Sequence, residues 1–180
     1  MHLTEKTVKR EIKFEGRIFT VAVDDVLLED GSPAKRELVL HHGGAGILPV
    51  ESDGTVTLVR QYRSGVAKQM TEICAGKLEE GENALEGALR ELEEELGIRA
   101  GNVIPLGAFA PTPAYVSELT HVFLATDLSY CERHTDEGEF LDIVTMSLDE
   151  AVDLVMNGEI SDGKTQLAIL KAERILRGKN

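Results

Sequence analysis

The sequence predicts an α+β fold, and three observations carry that expectation. Short runs of apolar and β-branched residues, bounded by turn residues, fill the first part of the chain and read as strands. Leu85, Leu89, Leu92 and Leu96 recur at spacings of four, three and four, the stripe of an amphipathic helix. Strands and helices do not alternate as regular βαβ units, which favours a mixed sandwich over a doubly wound parallel sheet.

In chain order, Val8 to Phe14 and Arg17 to Val23 read as strands. Glu29-Asp30-Gly31-Ser32-Pro33 is a turn, and Glu37 to His41 resumes a strand. Gly43-Gly44 breaks the chain before the strand Ala45 to Val50. Asp53-Gly54 is a strong turn signal and predicts a hairpin between that strand and Thr55 to Arg63. Glu72 to Gly76 reads as one short strand, and the leucine-striped helix ends at Gly97, a residue suited to a helix C-terminus. Strands are expected at Val103 to Phe109, His121 to Ala125 and Leu141 to Ser147, with a proline loop at Pro111 to Pro113 and a charged loop at Glu132 to Glu139. Helices are expected at Leu148 to Met156 and Lys164 to Leu176.

A chain of 180 residues suits one domain, or one domain with a small extension. Hydrophobic residues at 42% and charged residues at 28% are the balance of a folded protein. No stretch nears the roughly 18 to 20 apolar residues of a membrane helix. Met1 to Phe14 is too rich in Lys, Arg and Glu for a signal peptide. Cys74 and Cys131 supply neither a disulfide framework nor a CxxC pair. The expectation is therefore a cytoplasmic protein with no membrane partner. A net charge of -13 argues against nucleic-acid binding, which needs a basic patch. Excess acid ordinarily serves solubility. It suits a phosphate-bearing substrate only if cations among the carboxylates invert the local sign.

The most informative segment is Gly76 to Ile98, GKLEEGENALEGALRELEEELGI. On a helix Glu91 and Glu95 project together and Glu94 lies beside them, while the leucine stripe faces the core. Such carboxylates repel by a few tenths of a kcal/mol per pair, roughly, in an isolated helix. Oxygen-seeking cations such as Mg²⁺ or Mn²⁺ would offset that and keep waters for a substrate phosphate. A solvated acidic face is the ordinary alternative for a glutamate run. Gly87 inside the helix costs about 1 kcal/mol against Ala and calls for a close packing contact.

The segment fits Gly-x5-Glu-x7-Arg-Glu-U-x-Glu-Glu-x-Gly-U, with U aliphatic, at Gly76, Glu82, Arg90, Glu91, Leu92, Glu94, Glu95, Gly97 and Ile98. In this the sequence resembles the Nudix hydrolases. The resemblance implies an α/β/α sandwich with the motif as a loop–helix–loop. It places metal ligands at Glu91, Glu95 and the Ala75 carbonyl, with Glu94 ligating directly or through water. Arg90 would hold the glutamates in position, and Glu82 would brace the loop. A cation held there can polarise a diphosphate and activate water.

Three outlying features resemble the ADP-ribose pyrophosphatase branch. Val59-Arg60-Gln61-Tyr62-Arg63 followed by Glu72-Ile73-Cys74-Ala75-Gly76 resembles its VxQYR and EhPAG segments, with Cys74 in place of proline. The resemblance implies that Arg63 contacts the diphosphate and Glu72 frames the site. Pro113 lies fifteen residues beyond Ile98, and Thr112-Pro113-Ala114 with Glu118 resembles an SPG…E pattern in which Ala114 replaces glycine. Pro113 and Glu118 are thereby candidate substrate contacts. Glu137-Gly138-Glu139-Phe140 resembles the loop that carries a catalytic glutamate. Glu139 is the closer match and Glu137 the alternate, acting as general base for the attacking water or as another metal ligand. Gly158-Glu159-Ile160 with Asp162 to Leu170 also resembles the branch, so the likeness runs from about Arg17 to Leu176.

The resemblance further implies residues 1–41 as an N-terminal β extension that forms a homodimer, and 42–180 as the hydrolase domain. Arg36 is a candidate contact from the extension. The chain has no tryptophan, so a ring stacked on the base must be Tyr, Phe or His, with Tyr115 and Phe19 as candidates. The implied reaction is hydrolysis of ADP-ribose to AMP and ribose 5-phosphate. GDP-mannose or another nucleotide sugar on the same scaffold is the near alternative, and a non-catalytic nucleotide sensor is the alternative of another class.

Overall fold

The computed structural model describes residues 3–135, 138 and 140–178. It separates into two units, one of Met1–Gly43 with Ala110–Leu119 and one of Gly44–Phe109 with Thr120–Asn180.

In the first unit, β1 (Lys6–Glu15), β2 (Thr20–Leu27) and β3 (Pro33–Leu40) form an antiparallel meander in that order. Strand β2 begins three residues later than the sequence suggests, because Gly16 N–H donates to the Phe19 carbonyl at 3.0 Å and turns the chain there. Strand β3 begins at Pro33, earlier than the expected Glu37, since the turn is tight. Gly31 takes φ +82°, and Asp30 Oδ1 accepts from Ser32 N–H at 2.9 Å. In β2, Ala22, Asp24 and Val26 are buried in alternation. The buried Asp24 carboxylate is gripped by Arg10 through two bonds of 2.7 Å, as a desolvated charge requires. The 110–119 segment docks on the same unit, with Val39 N–H donating to Tyr115 O at 2.8 Å and Ser117 N–H to Val39 O at 2.9 Å.

The second unit holds the α+β sandwich. One sheet has the order β7 (Cys74–Lys77), β4 (Gly44–Pro49), β9 (Thr120–Tyr130), β8 (Ile98–Phe109). The other has the order β10 (Leu141–Ser147), β5 (Thr55–Arg63), β6 (Lys68–Glu72). Strands β4 and β9 run parallel, and the other pairs are antiparallel. Helices are α1 (Ala84–Leu96), α2 (Leu148–Met156) and α3 (Gly163–Leu176). Alternation along β4, β5 and β9 splits the core in two. Ala45, Ile47, Val59, Phe123 and Ala125 pack with Ala88, Leu92 and Leu96 of α1. Leu48, Val56, Leu58, Val122 and Leu124 pack with Ala151, Ala168, Ile169 and Ala172 of α2 and α3. The sheets therefore lie between helices, and none of the described helices is long and apolar enough to cross a membrane.

Three expectations are corrected. Strands β4 and β5 are not a hairpin. The Asp53-Gly54 turn forms, with Glu51 N–H donating to Thr55 O at 2.8 Å, but after the single Val50–Val56 bridge the strands enter different sheets. The Glu72 to Gly76 strand is two strand ends, β6 and β7, joined at Ile73 where the chain changes sheet. The leucine stripe of α1 is only partly internal. Leu92 and Leu96 are buried, but Leu85 is 38% exposed, and Gly87 and Ala88 take the inner positions of the first turns.

Candidate active site

Helix α1 is delimited by local chemistry. Asn83 is the N-cap, its side chain accepting from Leu85 N–H at 2.9 Å, and Gly97 closes the helix at φ +64°. Gly87 is required by packing, since a Cβ there would lie 2.6 Å from Leu78 Cδ2 and 3.3 Å from the Glu82 carboxyl carbon. The preceding loop is held by Glu82, whose Oε2 accepts from Glu79 N–H at 2.8 Å while Oε1 faces Arg90 Nε at 3.2 Å. Those two bonds, the backbone one foremost, hold the Glu82 carboxyl below the usual carboxylate range.

Arg90 organises the acidic face. Its Nη1 donates to Glu91 Oε1 at 2.8 Å and to Glu94 Oε2 at 2.9 Å. Partial burial works against the Arg90 charge, but Glu82, Glu91 and Glu94 outweigh it and raise its pKa. Ala75, Gly76, Lys77, Glu79, Arg90, Glu91 and Glu94 line a cavity of about 470 Å³. Gly76 makes room for the Glu91 carboxylate, since a Cβ on it would fall 1.8 Å from Oε1. Glu95, one turn from Glu91, is 4% exposed and adds to the negative field acting on Arg63.

Among the described residues no three His, Cys, Asp or Glu side chains are gathered at metal-holding distances. The donors nevertheless fit a hard divalent cation. They are all oxygens, and the glycine keeps the Glu91 carboxylate beside Ala75 at the cavity wall. Glu91 and Glu94 are held by a guanidinium that cannot itself be a ligand.

A second charged cluster borders the break between β6 and β7. Glu72 is 1% exposed. Arg63 donates to it twice, Nε to Oε1 at 2.7 Å and Nη2 to Oε2 at 2.8 Å. Lys164 Nζ donates to the same Oε2 at 2.5 Å. Burial pushes the Glu72 carboxyl up, but Arg63 and Lys164 outweigh burial and hold it below its usual range. Arg63 and Glu72 are legible in the sequence as site residues, whereas Lys164, Asp162 and Thr165 join them only in the structure. The only signal was their position in the 158–170 stretch, and helical periodicity does not show that the start of α3 meets β6.

Arg36, Phe19, Pro113, Tyr115 and Glu118 belong to the first unit. Arg36 is ion-paired with Glu5, its Nε donating at 2.9 Å. Phe19 tilts against Phe14 with ring centres 6.0 Å apart, and Tyr115 is exposed. Glu137 and Glu139 lie outside the described residues.

Comparison with known proteins gives two family matches. Residues 40–165 match the NUDIX domain, and residues 5–39 match the nucleoside diphosphate sugar hydrolase N-terminal domain. The chain is 41% identical over 169 residues to a Bacillus subtilis (strain 168) protein named ADP-ribose pyrophosphatase, covering 93% of this chain and 91% of that one. It is 40% identical over 167 residues to the methanol dehydrogenase activator of Bacillus methanolicus, covering 92% and 90%. The fold superposes on a crystal structure of an ADP compounds hydrolase with a TM-score of 0.82 over the whole of both chains at 24% identity.

Proposed function

Because the chain belongs to the Nudix hydrolase family and is an enzyme of that family, we propose that it cleaves the diphosphate bridge of a nucleoside diphosphate sugar. The preferred substrate is ADP-ribose, split to AMP and ribose 5-phosphate. The observation that carries this reading is the cavity at α1, where Arg90 binds both Glu91 and Glu94 and Glu91 lies against Gly76. The choice of ADP-ribose draws support from the relative that bears its name.

The oxygens of Glu91, Glu94, Glu95 and the Ala75 carbonyl would hold a divalent cation, Mg²⁺ in the first instance or Mn²⁺. Such an ion, when bound, polarises the diphosphate and lowers the pKa of its water. Arg90 fixes the direction of two carboxylates and offsets their mutual repulsion. Arg63, partly exposed and paired with Glu72 in the resting site, supplies N–H donors to a diphosphate oxygen, and Glu72 helps frame the site. Glu139, or Glu137 in its place, takes the proton of the attacking water. Arg36, Pro113 and Glu118 are further candidate contacts.

The extension, residues 1–41, is read as the dimer-forming part, with 42–180 as the hydrolase domain. Val8, Ile12, Phe14 and Ile18 expose apolar side chains there, a surface that a second copy would cover. Among the described residues Cys74 and Cys131 form no disulfide, as suits the cytoplasm.

The test is a panel of ADP-ribose, GDP-mannose and other nucleoside diphosphate sugars with Mg²⁺ and product identification. AMP and ribose 5-phosphate from ADP-ribose, at the highest kcat/KM, is the expected result. Preference for GDP-mannose would overturn the substrate and keep the reaction. Binding without turnover across the panel would overturn the reaction in favour of a sensor.

A further inference from the structure

Glu72 has one cation more than it needs. A single buried carboxylate is neutralised by one partner, and the bidentate Arg63 already provides it. Lys164 approaches the same carboxylate at 2.5 Å from α3, ninety-two positions away in sequence.

The two cations are held differently. The Lys164 side chain is 14% exposed and lies 3.1 Å from Asp162 Oδ1 as well as against Glu72. Its stretch of backbone is pinned. Asp162 caps α3 by accepting from Thr165 N–H at 3.0 Å and from the Thr165 hydroxyl at 2.5 Å. The same hydroxyl oxygen accepts from Ile73 N–H at 2.8 Å, so α3 is tied to the residue that follows Glu72. Arg63 is tied only by its tip. It pairs with Lys68 in the ladder while Glu72 pairs with Val59, so its side chain runs back along the sheet. It is 40% exposed, and Nη1 makes no hydrogen bond among the described residues.

We propose that Lys164 is a positioning residue: it is the permanent counter-ion of Glu72, and so leaves Arg63 free to exchange that carboxylate for the diphosphate of the substrate. The inference rests on the reading that Arg63 binds the diphosphate. Without Lys164, moving Arg63 would strand a buried carboxylate, and that cost would oppose substrate binding. With Lys164 in place Glu72 stays compensated whichever way Arg63 turns. Asp162 keeps the cluster neutral while both cations are present, with Glu72 and Asp162 against Arg63 and Lys164.

The test is steady-state kinetics of the full chain with ADP-ribose and Mg²⁺, or with the nucleoside diphosphate sugar the panel selects, alongside circular dichroism for folding. Lys164→Met is expected to raise KM about tenfold or more with kcat within about threefold, as for a buried charge pair cut on one side. Lys164→Arg recovers most of the loss. Adding Glu72→Gln to Lys164→Met brings KM back down about fivefold or more, because no stranded charge then holds Arg63. A merely structural Lys164 would give no such rescue, and that outcome overturns the proposal. Arg63→Ala separates the two ideas. A raised KM there with an unchanged KM in Lys164→Met refutes the role of Lys164 alone. An unchanged KM in Arg63→Ala refutes the diphosphate contact and the inference with it.

Discussion

Gly76 and Glu91 are packed so closely that a methyl group on the first would sit 1.8 Å from a carboxylate oxygen of the second. The oxygen is the end of a flexible side chain, so the fold can absorb the insult by moving Glu91. The proposed cation site cannot. Gly76→Ala is therefore expected to keep its melting temperature within about 3 °C, roughly 1 kcal/mol for a chain of this size. The Mg²⁺ concentration for half-maximal turnover should rise about tenfold, the lower end of what loss of a ligand's support costs. Metal titration of the rate checks it, and an unchanged half-saturation would separate Glu91 from the metal.

Arg90 serves two carboxylates from one nitrogen and Glu82 from another. A lysine keeps the charge but has no planar fork. Arg90→Lys is expected to lower kcat/KM by about tenfold or more with a small loss of stability, since positioning is lost and charge is not. Kinetics with a parallel thermal melt measures both, and wild-type kcat/KM would show that charge alone suffices.

Glycine at position 87 runs against helix propensity, so alanine would ordinarily stabilise α1 by about 1 kcal/mol. Here the new Cβ meets buried Leu78 at 2.6 Å. Overpacking of this kind costs about 1–3 kcal/mol. Gly87→Ala should lower the melting temperature by about 3–6 °C. A rise instead would mean that Leu78 moves aside freely.

Acid stability reports on Glu72. Its folded pKa lies below the ordinary 4.5, because Arg63 and Lys164 outweigh burial. The unfolded chain therefore takes up the proton first as pH falls. The contribution is fully present above pH 4.5 and is lost as pH drops through the lower folded value. Glu72→Gln should be less stable than wild type at neutral pH, and the gap should narrow below pH 4.5. Urea unfolding across a pH series checks it, and a gap constant in pH would assign the loss to packing rather than charge.

How much was legible in the sequence varies with the range of the interaction. The bounds of β5, β10 and α2 follow from local patterning alone, and the C-terminal end of α1 follows from Gly97, whereas its Asn83 cap shows only in the structure. Partner choice does not. Period-two alternation says which face of β5 is buried, but not that β5 leaves β4 after one bridge for another sheet. The change of sheet at Ile73 is invisible for the same reason. It is held by Thr165, a contact across the whole domain. Of the acidic cluster, Glu82, Arg90, Glu91 and Glu94 lie within three turns of one helix and its loop, so spacing brought them together. Lys164 reaches Glu72 only through the packing of α3, and no local pattern carries that.

The most direct test of the carboxylate helix as the metal-dependent centre is AMP release from ADP-ribose by wild type and Glu95→Gln, each with and without Mg²⁺. Release by the wild type that needs Mg²⁺, and that falls by about a hundredfold or more in the variant, is the expected result for loss of a charged group at the reacting centre. Equal Mg²⁺-dependent release by both proteins would contradict the assignment of this helix.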